Sequence, residues 1–268
     1  MARWISWLSL ALFIVSLFSG LVVMFSYHPS AAYESVQKLT YLIPYGAFFR
    51  QLHYFSSELL IGFLIVHITM ELLKKSITMR PSAWVYGVVG ALAVVLLMFS
   101  GFVLKADQSA NAAAQVAFTL MGDTPLLSSL QPLIQDTASF YHKFFIWHIV
   151  LLPLLLGYGI YRHIKLLPPQ TPYTIIATAL SVLTLLLIAM PADIIPNEAV
   201  EHLQGPWFFW GAENLLQMEL GSWMVTLIMT IPFVLLVFIV FAPRRRVLKM
   251  ALILWVVFYA IVSLAWWL

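Results

Sequence analysis

Seven runs of apolar residues, at positions 4–27, 52–73, 84–104, 144–163, 173–190, 223–241 and 247–267, account for most of the chain. Coiled into helices at 1.5 Å per residue, runs of this length cross a hydrocarbon layer about 30 Å thick. The pattern predicts an all-α transmembrane protein of seven helices. The first run begins almost at once, exceeds a signal-peptide core and lacks a small-residue cleavage site, so it is expected to be a retained helix. Composition agrees: 62% of residues are hydrophobic and only 9% charged, outside the range of soluble domains.

Charge changes the picture by giving it a direction. Arg3, Lys74, Lys75, Arg80, Arg162, Lys165, Arg244, Arg245, Arg246 and Lys249 gather on one side of the predicted layer. The other side has Lys38, Arg50, Lys105 and Lys143. Cytoplasmic loops hold the excess of Lys and Arg, which predicts a cytoplasmic N-terminus. This loop bias accounts for the net charge of +3 and leaves no argument for nucleic acid. The absence of cysteine excludes disulfides, thiolate metal sites and thioether-attached haem. Two connections are too long for turns, 105–143 and 191–221, and both fall on the outer side. Short interfacial helices are expected in the first, around Val116 to Met121. The second joins acids to an aromatic segment, Gly205-Pro206-Trp207-Phe208-Phe209-Trp210, and is where a substrate pocket is expected.

Four of the seven histidines lie inside apolar runs, in two pairs: His53 and His67, fourteen residues apart, and His148 and His163, fifteen apart. Either interval is close to four helical turns, so each pair shares a face with about 21–22 Å between its members. With the helix directions above, His53 faces His148 near the outer surface and His67 faces His163 near the inner one. Two bis-histidine cages for two stacked haems result. Gly87 and Gly101 on the third run repeat the fourteen-residue interval, offering one place per level where a backbone can approach a flat macrocycle. On the first run Gly20 would serve the outer level, but fourteen positions earlier stands Ser6.

These residues resemble the cytochrome b subunits of quinol–cytochrome c oxidoreductases. The likeness runs through Gly20, Pro29, Ala32-Tyr33-Glu34-Ser35-Val36, Gly46, Arg50-Gln51-Leu52-His53, His67, Trp84 and Gly87. It continues through Phe99-Ser100-Gly101-Phe102-Val103-Leu104, Asp107-Gln108, Lys143-Phe144-Phe145-Ile146-Trp147-His148, Pro153 and His163. The fifteen-residue interval and the seven-helix total are similar to the chloroplast-type cytochrome bf arrangement, with its separate four-helix and three-helix chains joined here into one. The resemblance implies a four-helix bundle over residues 1–168 and a three-helix region over 169–268. It also implies two haems b with the four histidines as axial ligands, an Arg50–propionate pair, and cofactor contacts at Gly20, Gly87, Gly101 and Lys143. A quinone pool, iron–sulfur (Rieske-type) or c-type cytochrome partners and a homodimer in a prokaryotic cytoplasmic membrane follow from it as expectations.

The departures matter for mechanism. The family's outer Pro-Glu-Trp-Tyr stands here as Gly205-Pro206-Trp207-Phe208, without the glutamate that takes a quinol proton. Glu213, Glu201 or Glu198 would have to substitute, since a base needs reach and not one loop position. Lys105-Ala106 replaces the Pro-Trp after the third helix, and Met70 stands where the family often has a propionate-binding arginine. Lys74, Lys75 or Arg80 would then neutralise the inner haem. Glu58, an ionisable group inside a span, is a functional candidate by position alone. The reading that follows is an electron-transfer subunit between quinone and a redox partner. The alternatives are a diheme subunit of another respiratory assembly, without quinol bifurcation, and a proton-relay transporter that binds no pigment.

Overall fold

The computed structural model describes residues 3–74, 80–125, 127–135, 139–164, 170–198, 203, 205–242 and 245–265. Among the described residues every regular element is helical: α1 (Arg3–Met24), α2 (Ala32–Tyr41), α3 (Gly46–Leu73), α4 (Pro81–Leu104), α5 (Gln108–Gly122), α6 (Gln131–Gln135), α7 (Phe140–Ile146), α8 (Leu152–Ile164), α9 (Thr171–Leu187), α10 (Trp210–Gln217), α11 (Ser222–Phe238) and α12 (Arg245–Leu264). A π turn, Trp147–Leu151, joins α7 and α8 into one span, Phe140–Ile164. Each of the seven apolar runs is a helix. Five have 20 to 28 residues, while α9 and α11 have 17, near the lower limit for crossing a bilayer. Pro81 and Pro172 start α4 and α9, where a missing N–H costs nothing. The backbone turns extended at Ile188, ahead of Pro191, so α9 ends three residues short of its apolar run.

Helices α1 and α3 pack as one pair, α4 and α8 as another, and α9 lies against α1 and α3. Leu8, Leu12, Leu52, Leu60, Ala93, Val94 and Leu156 fill the centre. At the basic end of the bundle Trp84 donates its indole N–H to the Leu236 carbonyl at 2.6 Å, tying α11 to α4. Phe18, Leu154, Leu186, Ile253 and Leu254 are exposed on the outside, as lipid-facing side chains must be.

The long connections form the opposite, loop-rich end. The expected interfacial helix there is α5, longer than the run around Val116 to Met121 that signalled it. Asp107 caps it by accepting from the Ala110 N–H at 2.8 Å, and its second oxygen accepts from Ile194 N–H at 3.1 Å. Gln108 N–H donates to the Ile194 carbonyl, and Asn197 N–H to Gln108 Oε1. The Asp107-Gln108 dipeptide therefore stitches the segment after α9 to the start of α5.

Candidate functional site

The two histidine intervals are unequal in sequence but equivalent in space. Pro153 has no N–H to give, and its ring clashes with the carbonyl four residues back, at Ile149. The chain relieves this with the π turn, in which Leu152 N–H donates to the Trp147 carbonyl five residues earlier. Such a turn holds one residue more than an α turn. Fifteen residues from His148 to His163 thus span the same turns as fourteen from His53 to His67.

Both expected pairs face each other. The imidazole centroids of His53 and His148 are 6.1 Å apart at 90°, and those of His67 and His163 are 6.4 Å apart at 87°. Histidine nitrogens bind first-row metals at about 2 Å, so two imidazoles sharing one metal have centroids about 6 Å apart. Every Nδ1 is already engaged. His53 Nδ1 donates to the Ser16 carbonyl at 2.9 Å, and His163 Nδ1 to the Ala83 carbonyl at 2.8 Å. His148 Nδ1 is hydrogen-bonded to Ser100 Oγ at 3.0 Å, a hydroxyl that lies 3.1 Å from the Leu97 carbonyl, and His67 Nδ1 to Ser6 Oγ at 3.3 Å. Fixing Nδ1 sets the tautomer that presents Nε2 as a lone-pair donor.

The glycines lie at the histidines, as their spacing suggested. A Cβ at Gly20 would lie 2.8 Å from His53 Cε1, one at Gly87 2.7 Å from His163 Nδ1, and one at Gly101 2.8 Å from His148 Cε1. Each glycine gives its bare backbone to an imidazole. Beside Gly20 and Gly87 the carbonyl that receives Nδ1 belongs to the residue four before the glycine, Ser16 and Ala83, while beside Gly101 the preceding Ser100 supplies its hydroxyl. Ser6, the apparent exception, supplies its own hydroxyl to the fourth histidine. Beside His67 and His163 lies a partly open apolar cavity of about 150 Å³, lined among others by Phe13, Leu64, Val94, Leu156 and Ile160. A buried apolar slot, two opposed imidazole pairs and committed Nδ1 atoms fit a pair of bis-histidine haems.

The other candidates are placed as follows. Arg50 is tied bidentately to Asp193, at 2.6 and 2.7 Å, and donates to Thr40 Oγ1, while Gln37 donates to the same carboxylate. Burial acts to raise the Asp193 carboxyl, but the Arg50 hydrogen bonds and charge hold it below the usual range. Sequence reasoning assigned Arg50 to a propionate and missed this partner, 143 residues away. Lys143 is half-buried in α7, ahead of the π turn. Lys74 pairs with Glu71, and Lys249 donates to the Lys74 carbonyl at 2.7 Å. Lys75 and Glu201 lie outside the described residues.

Glu213, in the first turn of α10, folds back onto the loop before it. Its Oε1 accepts from Gly205 N–H at 3.1 Å, beside the position where the resembling family carries its glutamate. Burial pushes the Glu213 carboxyl up to about 7, against the opposing effect of that hydrogen bond. Glu58 accepts from the Trp207 indole at 2.6 Å. Glu198 is exposed.

Comparison with known proteins fits this geometry. Residues 4–170, which include all four histidines, match the family model described as Cytochrome b/b6/petB. The chain is 28% identical over 156 residues to a cytochrome b6 of Heliobacterium mobile, covering 55% of this chain and 73% of the relative. It is 30% identical over 155 residues to the one from Heliomicrobium gestii, covering 54% and 72%. In fold it is similar to a chain of a hyperthermophilic respiratory Complex III, with a TM-score of 0.66 and 18% identity over 98% of this chain and 88% of that one. Helical spans, paired imidazoles and a family match over more than half the residues lead to one conclusion: this chain is an integral membrane protein of the cytochrome b family.

Proposed function

We propose that this chain is a diheme electron carrier between a quinol pool and a high-potential partner, as in cytochrome bc-type complexes. His53 and His148 hold the outer haem b, and His67 and His163 the inner one. The observation that carries the reading is the pair of facing imidazole couples, each with its Nδ1 atoms already committed. When bound, the haems supply one-electron chemistry. The chain's residues do the rest. Hydrogen bonds to Nδ1 orient the rings and raise their basicity, and the apolar slot excludes water. The Lys and Arg bias supports an N-terminus on the cytoplasmic side of a prokaryotic cytoplasmic membrane, with the long loops outside.

Purified protein should carry two b-type haems per chain by the haemochrome assay, both reducible by quinol. A colourless preparation would reject the reading in favour of a proton-relay transporter.

Glu213 is the proton acceptor for outer quinol oxidation, standing in for the glutamate absent from Gly205–Phe208. A base must be ionised to act, so quinol oxidation should rise with pH through about 7 and then level off. Glu213→Gln should remove that limb and lower turnover roughly 10²-fold, the scale of general-base contributions. Because burial favours the neutral acid, folding gains most below the ordinary glutamate range and loses that gain as pH rises through about 7. The same variant should therefore melt higher than the wild type at pH 8 and equally at pH 4. Unchanged turnover with an unchanged pH profile would dismiss Glu213 as the base.

The missing loop glutamate favours a second reading, a diheme subunit that serves a multihaem or iron–sulfur dehydrogenase without splitting quinol electrons. Co-purified subunits separate the two: a Rieske-type protein supports the first, a dehydrogenase without one the second.

A further inference from the structure

A carboxylate within a membrane span is costly and is retained where it pairs, relays protons or meets a ligand. Glu58 lies on α3 five residues beyond His53, about 7.5 Å deeper along the helix axis. It is half-buried, and its hydrogen bond with Trp207 sits at the surface of the bundle, where Trp207 itself is 39% exposed. The Tyr54 hydroxyl, one turn earlier on the same helix, lies near the same carboxylate. The outer loop thus dips into the span: Phe208 packs into the core among α1, α3 and α9, and Phe209 meets Phe99 of α4 at 5.3 Å. A carboxylate, an indole and a phenol form one polar notch on a surface otherwise built for lipid.

Resting on the functional reading above, we infer that this notch docks the headgroup of a quinol entering sideways from the bilayer, and that Glu58 accepts one of its protons. Three features match the ligand. Only a lipid-soluble molecule reaches this depth; a hydroxyl donor suits the carboxylate; and a flat ring stacks on Trp207 and Tyr54. The loop segment 205–207 is then flanked by two acids, Glu213 at the Gly205 N–H and Glu58 at the Trp207 indole. A quinol has two O–H bonds to break. One proton would pass to Glu58 and the other to Glu213, while a high-potential iron–sulfur or c-type partner would take one electron and the haem that His53 and His148 would hold the other. The product is quinone and two neutral acids, which return their protons to the outer face. Facing Glu58 are Tyr54 from its own helix and Trp207 from the loop; Glu213 lies beyond Gly205.

The test is single-turnover reduction of the haems by a short-chain quinol in the purified complex, at one pH, for wild type, Glu58→Gln and Glu58→Leu. Glutamine keeps an oxygen for the Trp207 N–H, so the loop stays pinned, but it cannot take a proton. Glu58→Gln should slow quinol-driven reduction at least tenfold while haem content and the dithionite-reduced spectrum stay unchanged. A wild-type rate in Glu58→Gln overturns the proposal. If only Glu58→Leu is slow, Glu58 is a loop pin or a lipid contact, which also overturns it. A wild-type complex with both haems that quinol fails to reduce would instead overturn the functional reading, and this assignment with it.

Discussion

Leucine in place of His148 is expected to leave one b-type haem per chain instead of two, retained at the level of His67 and His163. The reciprocal variant, His163→Leu, should retain the haem between His53 and His148. The expectation follows from how separately the two levels are built. His53 and His148 face each other at 6.1 Å with Nδ1 atoms held by Ser16 and Ser100, while the Nδ1 atoms of His67 and His163 are held by Ser6 and Ala83. About four helical turns lie between the levels. Leucine offers no lone pair, and the apolar space it fills cannot replace a metal–nitrogen bond. Haemochrome content and a redox titration of each variant read the outcome: one haem with one midpoint potential supports the assignment, and two full haems in either variant would sink it. Loss of both haems in only one variant would show that the levels fold in sequence, which the separate Nδ1 partners argue against.

Gly87→Val should act almost as strongly while leaving every ligand in place. A branched Cβ there would press on His163 Nδ1, 2.7 Å from the first added atom, and would cover the Ala83 carbonyl that holds this nitrogen. The ring can neither stay nor retreat without losing its hydrogen bond. Overpacking of this kind costs about 1–3 kcal/mol, and the lost orientation of the ligand adds to it. The inner haem should be lost or substoichiometric, with the outer haem intact. Gly90→Ala, one turn away, provides the control, because a Cβ there meets only the far end of Leu156 at 3.6 Å. Full occupancy of both haems in Gly87→Val would show that the imidazole does not need bare backbone beside it.

The contrast between Gly87 and Arg50 shows where local sequence information stops. Gly87 and Gly101 were visible because they repeat an interval, and a repeat along a helix maps directly onto a face. Spacing marks a close approach but not every group that approaches, and the structure adds an imidazole beside each glycine. Arg50 has no such pattern. Its partner Asp193 lies in an irregular segment after α9, and the pairing exists because Asp107 and Gln108 stitch that segment to α5. Glu213 was one of three acids that could replace the missing base. Its fold-back onto Gly205 depends on where α10 begins, a boundary set by the packing of Tyr259 and Asn214 against neighbouring backbone.

By itself, then, the sequence determined the membrane setting, the seven apolar helices and the facing histidine pairs. Those features depend on hydrophobicity and on the fixed pitch of a helix, both of which are local. Only the tertiary structure decided which carbonyl or hydroxyl orients each imidazole, how a π turn at Pro153 equalises fourteen and fifteen residues, and which acids reach Gly205 and Trp207. Most of these contacts join residues tens to more than a hundred positions apart, and what selects among the many polar partners available is the packing of helices and loops.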